Sequence, residues 1–188
     1  MRHLLIASFT LAATALPAAS AAAGSNSYMS LTGQKQRDIK GSVTQKGREG
    51  MIAVIAVSHE IVSPRDPQSG LPTGQRVHKP FVITKELDKS SPLLLNVLTT
   101  NENLTTVTLQ FFAPQVAATT AVGTEVKIYT ITLTNANIAS IKLVKPNTKD
   151  PNNSKLSDYE EIAFTYQKIQ WTWEKGGTTA SDDWSQRL

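Results

Sequence analysis

The chain has 188 residues and no cysteine, which excludes disulfides, Cys-ligated zinc and a thiol nucleophile. Its formal net charge is +4, but Lys and Arg are scattered without a basic run, so there is no footprint for nucleic acid. With the N-terminal stretch set aside, the remainder is the size of one domain with a real core.

That N-terminal stretch reads "MRHLLIASFTLAATALPAASAAAG". It has a basic start at Arg2, an apolar run from Leu4 to Leu16, Pro17, and small residues at Ala19, Ala21 and Ala23. The order is that of a secretory signal peptide over residues 1–23, leaving a domain over 24–188. A retained membrane anchor and a start codon assigned too early are the two rivals. Pro17 and the alanine-rich end favour cleavage, after which nothing would hold the chain to a membrane.

Beyond Gly24 the dominant hydrophobic period is two. "SYMSLTG" (27–33) predicts a short strand. "MIAVIAVSHEIV" (51–62) is apolar on both faces and predicts a strand deep in a sheet. Residues 63–74, "SPRDPQSGLPTG", hold three prolines and two glycines and predict a long exposed loop. "QRVHKPFVITKE" (75–86) returns to strand, with Pro80 marking an edge or bulge.

One helix is predicted. Ser91 is read as its N-cap and Pro92 as its first residue, with Leu93, Leu94, Val97 and Leu98 on one face. "NLTTVTLQFF" (103–112) is strand, and 113–124 a loose hairpin connection. Residues 125–145 read as two strands meeting near Asn135–Asn137, and 145–155 as a Pro/Asn-rich loop. The last strand, "YEEIAFTYQKIQWTWEK" (159–175), ends at Gly176–Gly177. The fold class is all-β: a closed barrel or sandwich of antiparallel strands with one flanking helix.

In the last strand Ile162, Phe164 and Tyr166 share one parity, while Ile169, Trp171 and Trp173 share the other. The apolar face therefore switches near Gln167–Lys168. A bulge in the monomer's core and cover by another subunit both account for it.

Motifs for chemistry are missing. "SHEIVS" begins like a zinc-protease helix, but Ser63 stands where the second His belongs. His59 and His78 are separated and carry little metal signal, and His3 lies in the leader. No G-x-S-x-G elbow, P-loop or G-x-G-x-x-G is present. Glu86 and Asp88 share a side of their strand, whereas Glu160 and Glu161 point to opposite faces. Carboxylates at such strand ends are read as solvated. In "KPFVITKELDKSSPLLLNVL" (79–98) the charges are therefore placed on the wet side, and the serines turn the chain and cap the helix. No catalytic residue, cofactor or metal is assigned.

"HKPFVITKELDKSSPLLLNVL" resembles the Hcp family, the tube-forming proteins of bacterial type VI secretion systems. "SYMSLTG", "DIKGSVTQKGREGMIAVIAVSHEI" and "YEEIAFTYQKIQWTWEKGGTTASDDW" match in family order, so the resemblance covers roughly 27–184. It implies a β-barrel with one helix that assembles as a hexameric ring without an active site. Rings stack into a tube inside a contractile sheath, are expelled with a spike, and carry small effectors in the lumen. The loop after the second strand projects toward the next ring, which assigns Arg65, Asp66, Gln68 and Leu71 to ring stacking. Ser91 and Pro92 are then structural. Phe164, Tyr166, Trp171 and Trp173 are core or subunit interface. The stretch after the barrel, to Leu188, is expected to be too short for the toxin domain that some relatives carry.

The leader departs from the family, whose members are loaded from the cytoplasm. Either the start is mis-assigned or this is an exported paralogue. Two other functions compete: an exported β-sandwich that binds a ligand on the aromatic strand Phe164–Trp173, and a hydrolase with an unrecognised triad.

Overall fold

The computed structural model describes residues 25–114 and 125–186; the expected leader over 1–23 and most of the 113–124 connection lie outside them. Strands β1 (Asn26–Gly33) and β2 (Arg37–Ile39) form the first hairpin. Short strands β3 (Ile52–Val54), β4 (Ala56–Ser58), β5 (Ile61–Val62) and β6 (Val77–His78) follow, then β7 (Phe81–Glu86) and helix α1 (Ser91–Thr99). Long strands β8 (Leu104–Pro114), β9 (Glu125–Val144) and β10 (Tyr159–Trp173) precede the terminal β11 (Thr178–Asp183). All pairings are antiparallel, as the period-two pattern implies.

The main sheet runs β2-β1-β8-β9-β10-β7-β4, with β3 also on β1 and β11 on β10. Residues 52–58 therefore serve both ends of the sheet. β3 pairs with β1, and β4 pairs with β7. The ladder changes partner at Ile55, so the sheet is rolled into a sandwich-like barrel without a continuous closing strand.

This corrects the reading of 51–62 as one deeply buried strand. Ile52 and Val54 enter the core, whereas Ile55 is 59% exposed. An apolar run fixes which residues can be buried, but a strand shared between two edges buries only one face.

Residues 125–144 also form one strand, not two. Asn135 adopts a left-handed φ of 51°, a conformation Asn tolerates better than most residues. The ladder rungs to Thr105 and Gln167 are missing there, while the register on either side is unchanged. The buried set passes from Leu133 to Ala136 in β9, from Tyr166 to Ile169 in β10, and from Leu104 to Val107 in β8. The parity switch legible in the last strand is thus one crease running across three strands.

Helix α1 packs Leu94 and Val97 into the core, with Leu98 partly buried; Leu93 faces outward instead. At the other end of the chain, Gly176 and Gly177 take positive φ values of 96° and 69° and make the β10–β11 turn.

Candidate functional site

Lys85 lies on β7 directly opposite Glu160 on β10. Alternation turns both side chains inward, so the carboxylate and ammonium are buried together. Lys85 Nζ is 2.6 Å from Glu160 Oε1, 3.0 Å from Ser91 Oγ and 2.8 Å from the Glu86 carbonyl. Asp88 lies 3.0 Å away on the same ammonium. The charges of this stretch do not all lie on the wet side, and Glu160 is not solvated.

Ser91 is not the helix cap. Ser90 holds that position, without a side-chain capping bond, and Ser91 and Pro92 are the first two helical residues. Ser91 Oγ accepts from Asp88 N at 3.1 Å and from Lys85, and donates to Glu160 at 2.8 Å. The 3.0 Å separation of Ser91 and Lys85 has the spacing of a nucleophile and its base. All three ammonium hydrogens are already given to acceptors, and the serine hydrogen goes to a carboxylate. Lys85, Ser91 and Glu160 are all buried, and the cluster joins β7, β10 and α1.

A second cluster brings the two histidines together. His59 Nε2 and His78 Nδ1 lie 2.6 Å and 2.8 Å from Tyr166 Oη, and His78 Nε2 is 2.8 Å from Asp182 Oδ2. Arg76 pairs with Asp182, and this guanidinium holds the Asp182 carboxyl below its usual range. Burial raises the Tyr166 phenol, and the Asp182 charge adds to it. Ligands of a tetrahedral zinc are spaced by roughly 3.3 Å, given Zn–N lengths of 2.0–2.1 Å. The shorter separations here are those of a hydrogen-bond chain. Among the described residues no group of three or more His, Cys, Asp or Glu could hold a metal ion. Asp182–His78 has the form of two triad members, but its third partner is a tyrosine oxygen already bound to a second imidazole.

Residues 63–74 form the tip between β5 and β6, which pair with each other. Asp66 Oδ1 accepts from Ser69 N and Oγ at 2.7 Å and 2.8 Å and from Gln68 N at 3.0 Å, and the Ser69 bonds above all pull its pKa down. Arg65 donates to the Gly70 carbonyl at 3.1 Å. Arg65 and Asp66 thus shape the loop itself. Gln68 is exposed, and Leu71, at 65% exposure, is the apolar residue at the tip.

The aromatic strand does not form a continuous platform. Phe164 and Tyr166 are core residues, Trp171 is half-buried, and Trp173 is 45% exposed. Trp173 instead ends a row with Tyr129 and Phe111 across three strands, with ring centroids 6.5 Å and 5.9 Å apart.

Comparison with known proteins covers most of the chain. Residues 28–173 match the family model described as "Type VI secretion system effector, Hcp". A protein of Pseudomonas aeruginosa named "Major exported protein" is 48% identical over 166 residues, covering 84% of this chain and 94% of that protein. The Hcp1 protein from the E. coli EAEC 042 pathovar aligns with a TM-score of 0.73 at 33% identity, over 85% of this chain and 98% of that one. "Secreted protein Hcp3 from Pseudomonas aeruginosa" aligns at 0.64 and 37% identity, over 86% and 99%.

Proposed function

The chain belongs to the Hcp family of type VI secretion proteins, and from that premise we propose that it is the structural subunit of a secretion tube. Six copies form a ring, rings stack head-to-tail within a sheath, and the tube leaves the cell behind a spike with small effectors in its lumen. The observation that carries this reading is the family match over residues 28–173, which spans β1 to the end of β10.

Two features of the structure support it. Ile55, Leu143 and Trp173 are large apolar side chains left open on a single chain, as expected of surface that neighbouring copies cover. The buried clusters of Lys85 and Tyr166 spend their polar groups on holding strands together, which suits a tube component that performs no chemistry.

Native mass measurement and negative-stain imaging of residues 24–188 test the proposal. Hexamers and stacked rings are expected. A stable monomer at micromolar concentration overturns it.

Residues 1–23 are proposed to be removable by signal peptidase, and export by that route would make the chain a paralogue that does not enter a sheath loaded from the cytoplasm. Fusing residues 1–30 to a reporter that matures only after export checks this; a silent reporter means that translation starts later and the subunit is loaded from the cytoplasm.

A further inference from the structure

β5 and β6 pair with each other as the outward continuation of the β4–β7 pair, and neither pairs with β10 or β11. Side chains bridge to those two strands instead. His59 precedes β5, and Arg76 and His78 lie at β6; all three reach Tyr166 on β10 or Asp182 on β11. Arg76 also donates to the Asp183 carbonyl at 2.9 Å.

The hydrogens in this chain can be assigned by elimination. Asp182 as a carboxylate only accepts, so His78 Nε2 carries a hydrogen. In neutral His78, Nδ1 is then an acceptor, and the single Tyr166 hydrogen must go to it. The Tyr166 oxygen is left to accept from His59 Nε2. With both imidazoles neutral, every donor has an acceptor.

One proton can be absorbed. Protonated His78 donates from Nδ1 to Tyr166, the phenol turns its hydrogen to His59 Nε2, and His59 changes tautomer, its own hydrogen moving from Nε2 to Nδ1. A second proton cannot be absorbed. Both imidazoles would then aim N–H groups at one phenol oxygen, whose hydrogen has no acceptor, and two cations would face each other.

We propose that this chain is a proton-operated latch, which holds the β5–β6 hairpin on the barrel until both imidazoles are protonated and then releases it. The other charged groups nearby do not supply the switch. Asp182 and Asp183, on β11, are both held below the usual carboxylate range and stay ionised through the imidazole range. Arg76 is committed to Asp182, Lys168 of β10 faces Asp183, and Glu60 and Lys79 flank the histidines in sequence. Tyr166 is pushed upward, away from neutral pH.

Burial, then the neighbouring His78, lowers the His59 pKa. The closed state therefore binds fewer protons than the open one. Its advantage is complete above the ordinary imidazole value of about 6.5 and is lost as pH falls below it toward the depressed value. Water reaches the chain through a cleft of about 320 Å³ lined by Arg76, His78, Lys79, Tyr166 and Trp184. The consequence for tubes rests on the proposed stacking role of loop 63–74; the latch itself does not.

Hydrogen exchange of the full chain tests it, read as protection factors between about pH 7.5 and 5. A two-stranded hairpin off the barrel is marginal, so its amides lose protection when released. Protection over residues 61–79 should fall by up to about tenfold per pH unit below the imidazole value, the slope for one extra proton in the open state. β8 and β9 should stay protected. Tyr166→Phe keeps the shape and removes the hydroxyl, so its hairpin should be weakly protected at both pH values. Should that variant not fold, His59→Gln, at a half-buried position, must likewise remove the pH dependence. An unchanged hairpin, opening of the whole barrel together, or a wild-type profile in the variant that folds overturns the latch. Electron microscopy separates the two ideas: tubes that persist with an open hairpin sink the stacking role and leave the latch standing.

Discussion

Lys85 Nζ and Glu160 Oε1 lie 2.6 Å apart, both shut away from water and separated by 75 residues of sequence. A buried pair of this kind is held in place by the cost of breaking it rather than by the gain of making it. Lys85→Met should destabilise the barrel by about 3–5 kcal/mol, because Glu160 then stays buried without its cation. Lys85→Met with Glu160→Leu should recover most of that loss. Urea denaturation of the single and double variants decides; a single variant as stable as the parent would show that the pair is open to solvent.

The same network changes what Ser91 is worth. As a helix cap it would contribute about 1 kcal/mol. As a buried hydroxyl between Lys85, Glu160 and the Asp88 amide, its removal should cost about 1–3 kcal/mol. Ser91→Ala should therefore destabilise at least as much as a lost cap, and no activity is expected to go with it. Parental stability in that variant would take Ser91 out of the network.

Glu125 predicts an acid limb. Arg48 holds its carboxyl below the usual range, and Arg48 itself is buried, with its guanidinium 3.7 Å from the centre of the Phe112 ring. A carboxyl with a depressed folded pKa stabilises above its unfolded value, about 4.3, and the contribution is lost as pH falls through the folded value. Glu125→Gln should cost about 1.5–3 kcal/mol at neutral pH, the range for a charged hydrogen bond, and flatten the fall below about pH 4.3. Thermal melts of variant and parent should therefore differ at neutral pH and converge at acid pH. A constant gap between them would argue against Glu125.

Local chemistry carried much of this fold and little of its wiring. Ser-Ser-Pro before a leucine-rich run marks a helix wherever it falls, and Gly176–Gly177 marks a turn. The parity switch at Gln167–Lys168 was legible because side chains must alternate along a strand. Its cause was not, because the left-handed residue is Asn135 on the neighbouring strand. Lys85 reads as a surface lysine for the same reason: the carboxylate that admits it to the core is 75 residues away. His59 and His78 are convergent only because a tyrosine on β10 sits between them. In the aromatic strand, alternation already groups Phe164 and Tyr166 with Ile162, and all three are buried.

The last prediction concerns the tip at 63–74. A hairpin needs only about 2–5 loop residues, so twelve residues with three prolines exceed what joining β5 to β6 requires. Asp66 and Arg65 bind the loop's own backbone, which fixes its shape before any partner arrives and lowers the entropy lost on docking. That leaves Leu71 and Gln68 as the outward contacts, with Leu71 supplying the apolar one. Replacing 63–74 with Asn-Gly should leave barrel and ring intact, because the residues that dock the hairpin, His59, Arg76 and His78, lie outside the replaced segment. Stacking into tubes should be abolished, and Leu71→Asp should weaken it with the loop backbone unchanged. Native mass reports the ring and electron microscopy the tube. Normal tubes from the shortened chain would reduce the segment to a connection between two strands.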